Sequence, residues 1–278
     1  VFQYMPFSTT DDLSSELLRL RLITSDQLSE TEARFPITSD PKTLLKALEA
    51  QHLLTTYQAS KLQLDEKSPL VLGEYKLMYQ NASGSFARVF RACSLETDET
   101  IGLKVLRQRF LDDPKAVAHF HREAELCMKL RHKNIVPIYK VGTDDGFHYF
   151  TMEFIEGGNL RDFSKIRGKL NADELLRCAC DMTEGLEYAL AQGMTHRDFK
   201  LSNVLMSSRG VAKLVDFGLA GDDDDDDDEN VHAVEYATLE KNTHAPANDP
   251  RSDLFFLGTV LYELASGKPP YPTSSNRD

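Results

Sequence analysis

The sequence predicts an α+β fold with a small all-helical region in front of it. Three observations predict this. Residues 1–68 are leucine-rich, with helical spacing and no strand-like alternation. Residues 70–150 read as strands broken by one long helix, and from Asn159 onward the apolar pattern is helical again.

The elements follow in order. In residues 1–68, Leu13, Leu17, Leu22, Ile23, Thr24 and Gln27 recur at an offset of 31 residues as Leu44, Leu48, Leu53, Leu54, Thr55 and Gln58. Each copy places an amphipathic helix before Thr-x-x-Gln, a capping box in which the Thr side chain accepts an amide of the next helix and the Gln reaches back. Two helical hairpins are therefore expected, the second opened by Asp40 as cap and Pro41 in the first turn. This region either packs as a bundle on its neighbour or serves as a docking module for a partner. Tyr75–Tyr79, Ala87–Ala92, Ile101–Leu106 and His148–Ile155 are expected as strands, and Pro114–Leu130 as a helix carrying Phe120, Ala124, Cys127 and Met128 near one face. Gly157-Gly158 breaks the last strand. Helices are expected at about 171–192 and 252–266, the latter with Leu254, Leu257, Leu261 and Leu264 at helical spacing.

Bulk properties exclude several classes. The 278 residues suffice for one large domain or two smaller ones, and 41% hydrophobic content supports a core. Of the net charge of −12, eight negative charges lie in Asp222–Glu229, leaving −4 for the rest. No basic patch points to nucleic acid. No run of 18 apolar residues marks a membrane span, and no signal-peptide pattern opens the chain. Cys93, Cys127, Cys178 and Cys180 lack metal spacing and read as buried, reduced thiols, which fit a cytoplasmic setting.

One constellation carries chemistry. Phosphoryl transfer needs a carboxylate to orient the attacking hydroxyl and oxygen ligands to hold magnesium on the phosphates. In Thr195-His196-Arg197-Asp198-Phe199-Lys200-Leu201-Ser202-Asn203, Asp198 is placed for the first task. Asn203, with Asp216 of Val215-Asp216-Phe217-Gly218, is placed for the second. His-Arg-Asp with Asn five residues after the Asp, followed by Asp-Phe-Gly, is a paired signature of protein kinases. With Lys104 in Ile-Gly-Leu-Lys, residues 72–272 resemble a eukaryotic-like serine/threonine protein kinase of the kind found in bacteria.

The resemblance implies a two-lobed protein-kinase-like fold: a helical accessory region at 1–68, a β-rich N-lobe at 69–155, and a helical C-lobe at 156–278. It implies transfer of the γ-phosphoryl group of ATP to Ser or Thr hydroxyls of a protein substrate, with Mg²⁺. Asp198 orients the nucleophile, Lys200 stabilises the transferring phosphate, and Asn203 and Asp216 hold the metal. Lys104 contacts the α- and β-phosphates and is paired with Glu123. Gly84 belongs to the phosphate-covering loop, and Val89 and Leu205 sandwich adenine. Met152 backs its pocket, while Glu153 and Ile155 offer backbone groups to its edge. His196 is read as a packed core histidine beside Phe217. Arg251-Ser252-Asp253 with Gly258 matches the start of the helix that anchors the catalytic loop.

The chain departs from the family pattern in several places. Ala82 and Ala87 stand where the loop has its flanking glycines, and alanine disfavours positive φ, so weakened nucleotide binding is expected. Ala233 replaces the threonine that bridges Asp198 and Lys200, and only Glu240 remains of Ala-Pro-Glu. Asp222–Asp228 is either a solvated loop or a set of carboxylates standing in for phosphate against Arg197. The chain stops at Asp278, soon after the anchoring helix, so a fragment of a longer protein is expected. These departures keep open a pseudokinase that binds nucleotide or acts as a scaffold.

Overall fold

The computed structural model describes residues 6–35, 40–64, 69–217 and 249–270. They fall into two compact units, residues 1–117 with 140–154, and residues 118–139 with 155–278.

The first unit begins with four helices, α1 (Thr10–Arg19), α2 (Ser25–Arg34), α3 (Pro41–Ala50) and α4 (Thr56–Gln63). The repeat in the sequence is a repeat in the structure. Thr24 and Thr55 each cap a helix, and Gln27 and Gln58 each return a side-chain oxygen to the cap's amide. A third box, Thr9 with Asp12, caps α1, and Asp40 caps α3 with Pro41 in its first turn. Leu13, Leu17 and Ile23 are buried in one core with their counterparts Leu44, Leu48 and Leu54.

The helices precede a six-stranded sheet of order β1-β2-β3-β4-β6-β5. Its strands are β1 (Val71–Leu72), β2 (Tyr75–Ser83), β3 (Ala87–Ser94), β4 (Thr100–Leu106), β5 (Ile138–Asp144) and β6 (Phe147–Met152). In β2, Leu77 pairs with Ala92 and Tyr79 with Arg91, so Met78 is the extra residue of a bulge. The second capping box meets that bulge: Gln58 Nε2 donates to the Leu77 carbonyl at 2.9 Å and Thr55 Oγ1 to the Met78 carbonyl at 2.8 Å. Carbonyls released from the ladder thus find donors on α4, and Tyr57 packs on Phe90 at 5.9 Å between ring centroids. The register fixes two faces. Val89 lies opposite Lys104, and Gly102 opposite Met152; Arg88 lies opposite Val105, and Phe90 opposite Leu103. Because alternate residues point to opposite faces, Val89, Lys104 and Met152 share one face. Arg88, Phe90 and Val105 share the other, the face that Tyr57 of α4 covers.

Helix α5 (Pro114–Cys127) buries Phe120, Glu123, Ala124 and Cys127, the face its sequence marks out. The second unit holds α6 (Leu160–Arg167), α7 (Ala172–Ala191), the hairpin β7 (Val204–Met206) with β8 (Ala212–Leu214), and α8 (Pro250–Ser266). Gly185 lets α7 approach β8, since a Cβ there would lie 2.9 Å from Leu214 Cδ1. No helix among the described residues is long and apolar enough to cross a membrane.

The helix expected at 252–266 is α8; of its four leucines at helical spacing Leu257 and Leu264 are buried, with Ser252, Asp253, Phe256 and Val260, while Leu254 is 61% exposed. Two expectations are corrected. All four cysteines are free, but only Cys127 and Cys178 are buried. Cys93, on β3, is half-buried; Cys180 is exposed because residues two apart on a helix point about 200° apart, and Cys178 takes the buried side of α7. Ala82 and Ala87 sit in β2 and β3, paired with Val89 and Leu106, and neither adopts positive φ. The backbone strain expected of those alanines is absent.

Candidate active site

Most of the candidate residues of the second unit are gathered on one irregular segment, residues 195–203. Irregular backbone carries polar groups that must be satisfied, and here a buried carboxylate on α8 satisfies them. Asp253 is 6% exposed. Its oxygens accept from the His196 amide at 2.7 Å and the Arg197 amide at 2.9 Å. Asp198 N donates to the His196 carbonyl at 2.8 Å, closing a tight turn in which Arg197 takes a φ of +62°. Non-glycine residues in the left-handed region are uncommon and are held there by their surroundings.

His196 is fully buried, 4.5 Å from Phe217 and 5.3 Å from Phe199 between ring centroids. Burial pushes its imidazole below the ordinary value, and the nearby carboxylates of Asp253, Asp198 and Asp216 oppose that shift without reversing it. The ring is a packed, neutral part of the core, as its sequence context implies.

The Asp198 carboxylate emerges from this frame. Lys200 Nζ lies 2.8 and 2.7 Å from its two oxygens, and Asn203 Nδ2 donates at 2.8 Å both to Oδ2 and to the Asp198 carbonyl. The Asp198 side chain is 42% exposed and that of Lys200 25%, while Asn203 is buried. Val215 N donates to the Asn203 carbonyl at 3.0 Å, tying this loop to the segment that ends at Asp216 and Phe217. Asp216 is itself in the left-handed region, φ +56°, and Phe217 is 2% exposed. Leu205 follows on β7, half-buried and bridged to Asn159. Ile155 is buried in the same unit.

Among the described residues no group of three or more His, Cys, Asp or Glu side chains could hold a metal ion. Asn203 gives its Nδ2 to Asp198, and its Oδ1 accepts from Ser202 Oγ at 3.4 Å.

The other candidates lie on other elements. In the first unit Lys104 is 8% exposed on β4, its Nζ 5.4 Å from the Phe150 ring centroid. Val89 and Met152 share its face of the sheet. Met152 packs over Gly102, where a Cβ would lie 2.9 Å from Met152 Cγ. Glu153 follows β6 and is half-buried. Gly84 is exposed between β2 and β3, its φ outside the left-handed region. Glu123, on α5, is 8% exposed and belongs to the second unit. Gly218, Asp222–Asp228, Ala233 and Glu240 lie outside the described residues.

Sequence reasoning missed the tether of the Gly84 loop. Arg107 donates to the Gly84 carbonyl at 2.7 Å and to Ser83 Oγ at 2.6 Å, and Arg109 donates to the Ser85 carbonyl. The only local signal is the pair of arginines two apart after a strand.

Comparison with known proteins places this geometry. The protein kinase domain family matches residues 75–278. A probable serine/threonine-protein kinase of Clostridium acetobutylicum is 32% identical over 201 residues, 71% of this chain and 30% of that protein. The serine/threonine-protein kinase PrkC of Bacillus subtilis is 30% identical over 209 residues, 74% of this chain and 32% of its own length. PknL of Mycobacterium tuberculosis is 31% identical over 213 residues, 75% of this chain and 53% of that protein. The chain thus spans about a third of the first two relatives.

Proposed function

This chain belongs to the protein kinase family, and from that premise we propose that it transfers the γ-phosphoryl group of ATP to Ser or Thr hydroxyls of a protein substrate. The observation that carries this reading is the Asp198 carboxylate, half-exposed at the end of a buried frame and held by Lys200 and Asn203. Catalysis of phosphoryl transfer is mostly positioning and electrostatics, and such a carboxylate is already oriented. It accepts the hydroxyl proton, and Lys200 moves from the carboxylate toward the charge that develops on the transferring group. Magnesium, when bound, neutralises the β- and γ-phosphate oxygens; Asn203 and Asp216 would hold it. The roles given above to Gly84, Val89, Lys104, Glu123, Met152, Glu153, Ile155 and Leu205 in ATP binding belong to the same proposal. So do the division into accessory region, N-lobe and C-lobe and a cytoplasmic setting.

A pseudokinase is the alternative. Its supports are the loss of the flanking glycines at Ala82 and Ala87, Ala233 and the aspartate run; against the first, both alanines occupy ordinary strand positions without positive φ. The test incubates the protein with labelled ATP, Mg²⁺ and a generic protein substrate, beside Asp198→Asn and Asp216→Asn. Expected is label transfer by the parent chain, none by either variant, and nucleotide-induced thermal stabilisation retained in Asp198→Asn. Stabilisation by nucleotide without any transfer would favour the pseudokinase, and the absence of both a scaffold.

A further inference from the structure

The first unit contains a cavity of about 570 Å³. It opens on the face of the sheet that carries Arg88 and Phe90, opposite the face of Lys104. Tyr57, Phe90 and Phe147 give it aromatic walls, and Arg88, Arg107 and Arg109 give it charge. No acidic residue is among the described residues that line it. The partners that Arg107 and Arg109 do have are neutral, the backbone carbonyls of Gly84 and Ser85 and the hydroxyl of Ser83. Arg88 projects from a paired strand position, and Arg109 is held over the Phe110 ring at 4.8 Å. Burial, and after it the like charges of Arg88 and Arg109, push the Arg107 guanidinium below its ordinary value. Three guanidinium groups gathered in a concavity with no carboxylate among its described lining residues form a positive site.

We propose that this cavity binds a phosphate monoester, with Arg88, Arg107 and Arg109 taking the phosphate and Tyr57, Phe90 and Phe147 taking the apolar part of its carrier. A phosphate monoester carries a charge of about −1.5 to −2 and three acceptor oxygens. That matches three planar donor forks better than a carboxylate does. The aromatic walls favour a phosphorylated residue in a peptide over free phosphate. Arg107 and Arg109 also hold residues 83–85, so an occupant that draws on their N–H groups is coupled to the Gly84 loop. That coupling rests on the nucleotide role proposed above, whereas anion binding does not.

The test is calorimetry on the 278-residue chain at low salt without nucleotide. Three probes are titrated: inorganic phosphate, O-phosphoserine, and a phosphoserine peptide with flanking aromatic residues, with its unphosphorylated form as control. Arg88→Ala and Arg109→Ala should each weaken binding of the phosphopeptide by about tenfold, the loss of one strong charge-assisted contact. Lys104→Ala, on the opposite face, should leave it unchanged. Arg109 is exposed, so its variant serves even where Arg88→Ala disturbs the sheet. Equal affinity for free phosphoserine would support the site with a small phosphorylated ligand as its occupant. Unchanged affinity in both arginine variants, loss on Lys104→Ala, or equal binding of the unphosphorylated peptide would overturn the proposal.

Discussion

Replacing Asp253 with alanine should separate stability from catalysis. The Asp253 side chain is buried, and both oxygens accept backbone amides, His196 N at 2.7 Å and Arg197 N at 2.9 Å. Hydrogen bonds to a charged group contribute about 1.5–3 kcal/mol each, and donors left buried without an acceptor add a penalty. Removing a buried carboxylate also relieves its desolvation cost, so the low end of the pair, about 3 kcal/mol, is the reasonable expectation. At about 2–4 °C per kcal/mol for a domain of this size, the melting temperature should fall by roughly 6–12 °C. Activity should fall further than that. The Arg197 amide is one of the groups holding a φ of +62°, and once released the turn relaxes and carries the Asp198 carboxylate with it. The control is Asp249→Ala, which removes the cap of the same helix, where Asp249 accepts from the Arg251 amide at 2.9 Å, but leaves residues 195–203 untouched. Thermal melts and phosphotransfer assays on both variants, at a temperature where each is folded, decide the matter. If Asp253→Ala melts within about 2 °C of the parent and retains activity equal to Asp249→Ala, the anchoring argument is wrong.

Three further outcomes are expected. In Gly157→Ala the new Cβ would lie 1.9 Å from the Met206 carbonyl oxygen, so backbone must move; a loss of about 1–3 kcal/mol should appear in denaturant unfolding, and a neutral result would show that the β7 segment yields freely. Gln58→Ala leaves the Leu77 carbonyl without its donor and should cost about 1–3 kcal/mol, whereas Gln27→Ala at the equivalent position of the first repeat loses only the cap. Parallel unfolding curves with equal shifts would refute that distinction. On α7, alkylation near neutral pH should label Cys180 first and leave Cys178 intact, since Cys178 is buried and burial, with Asp181 and Glu174 nearby, pushes its thiol up to about 11; mass spectrometry finding the reverse order would contradict it.

What the sequence disclosed was local. Thr24-x-x-Gln27 and Thr55-x-x-Gln58 are legible because a capping box closes within four residues. Asp198, Lys200 and Asn203 are legible for a similar reason: their mutual contacts span two to five residues. Illegible features depend on distant partners. Arg107 and Arg109 reach residues 23 and 24 positions away, and nothing near them in sequence announces it. Strand β5 (Ile138–Asp144) was not marked because it lies at the sheet edge with most positions partly or fully exposed, so apolar alternation is weak. On α8 the leucine spacing marks the helix, and Leu257 and Leu264 are buried, but it does not announce Ser252 and Asp253, which turn inward; Asp253 is buried for its hydrogen bonds rather than for hydrophobicity.

The same comparison explains how one local code serves two ends. Both Thr-x-x-Gln boxes satisfy the first turn of a helix with one acceptor from each side chain. That leaves each threonine a hydroxyl hydrogen and each glutamine an amide group. In the first repeat Thr24 is exposed. In the second, the two spare donors meet the Leu77 and Met78 carbonyls, where the β2 bulge has broken the ladder. A bulge that would otherwise expose backbone therefore becomes the attachment point of the helical region. The attachment lies on the strand that leads to residues 83–85, with Tyr57 packed against Phe90 beside it. Helix α4 thus covers one face of the sheet whose opposite face carries Val89, Lys104 and Met152. Any displacement of α4 would act on the Gly84 loop through β2.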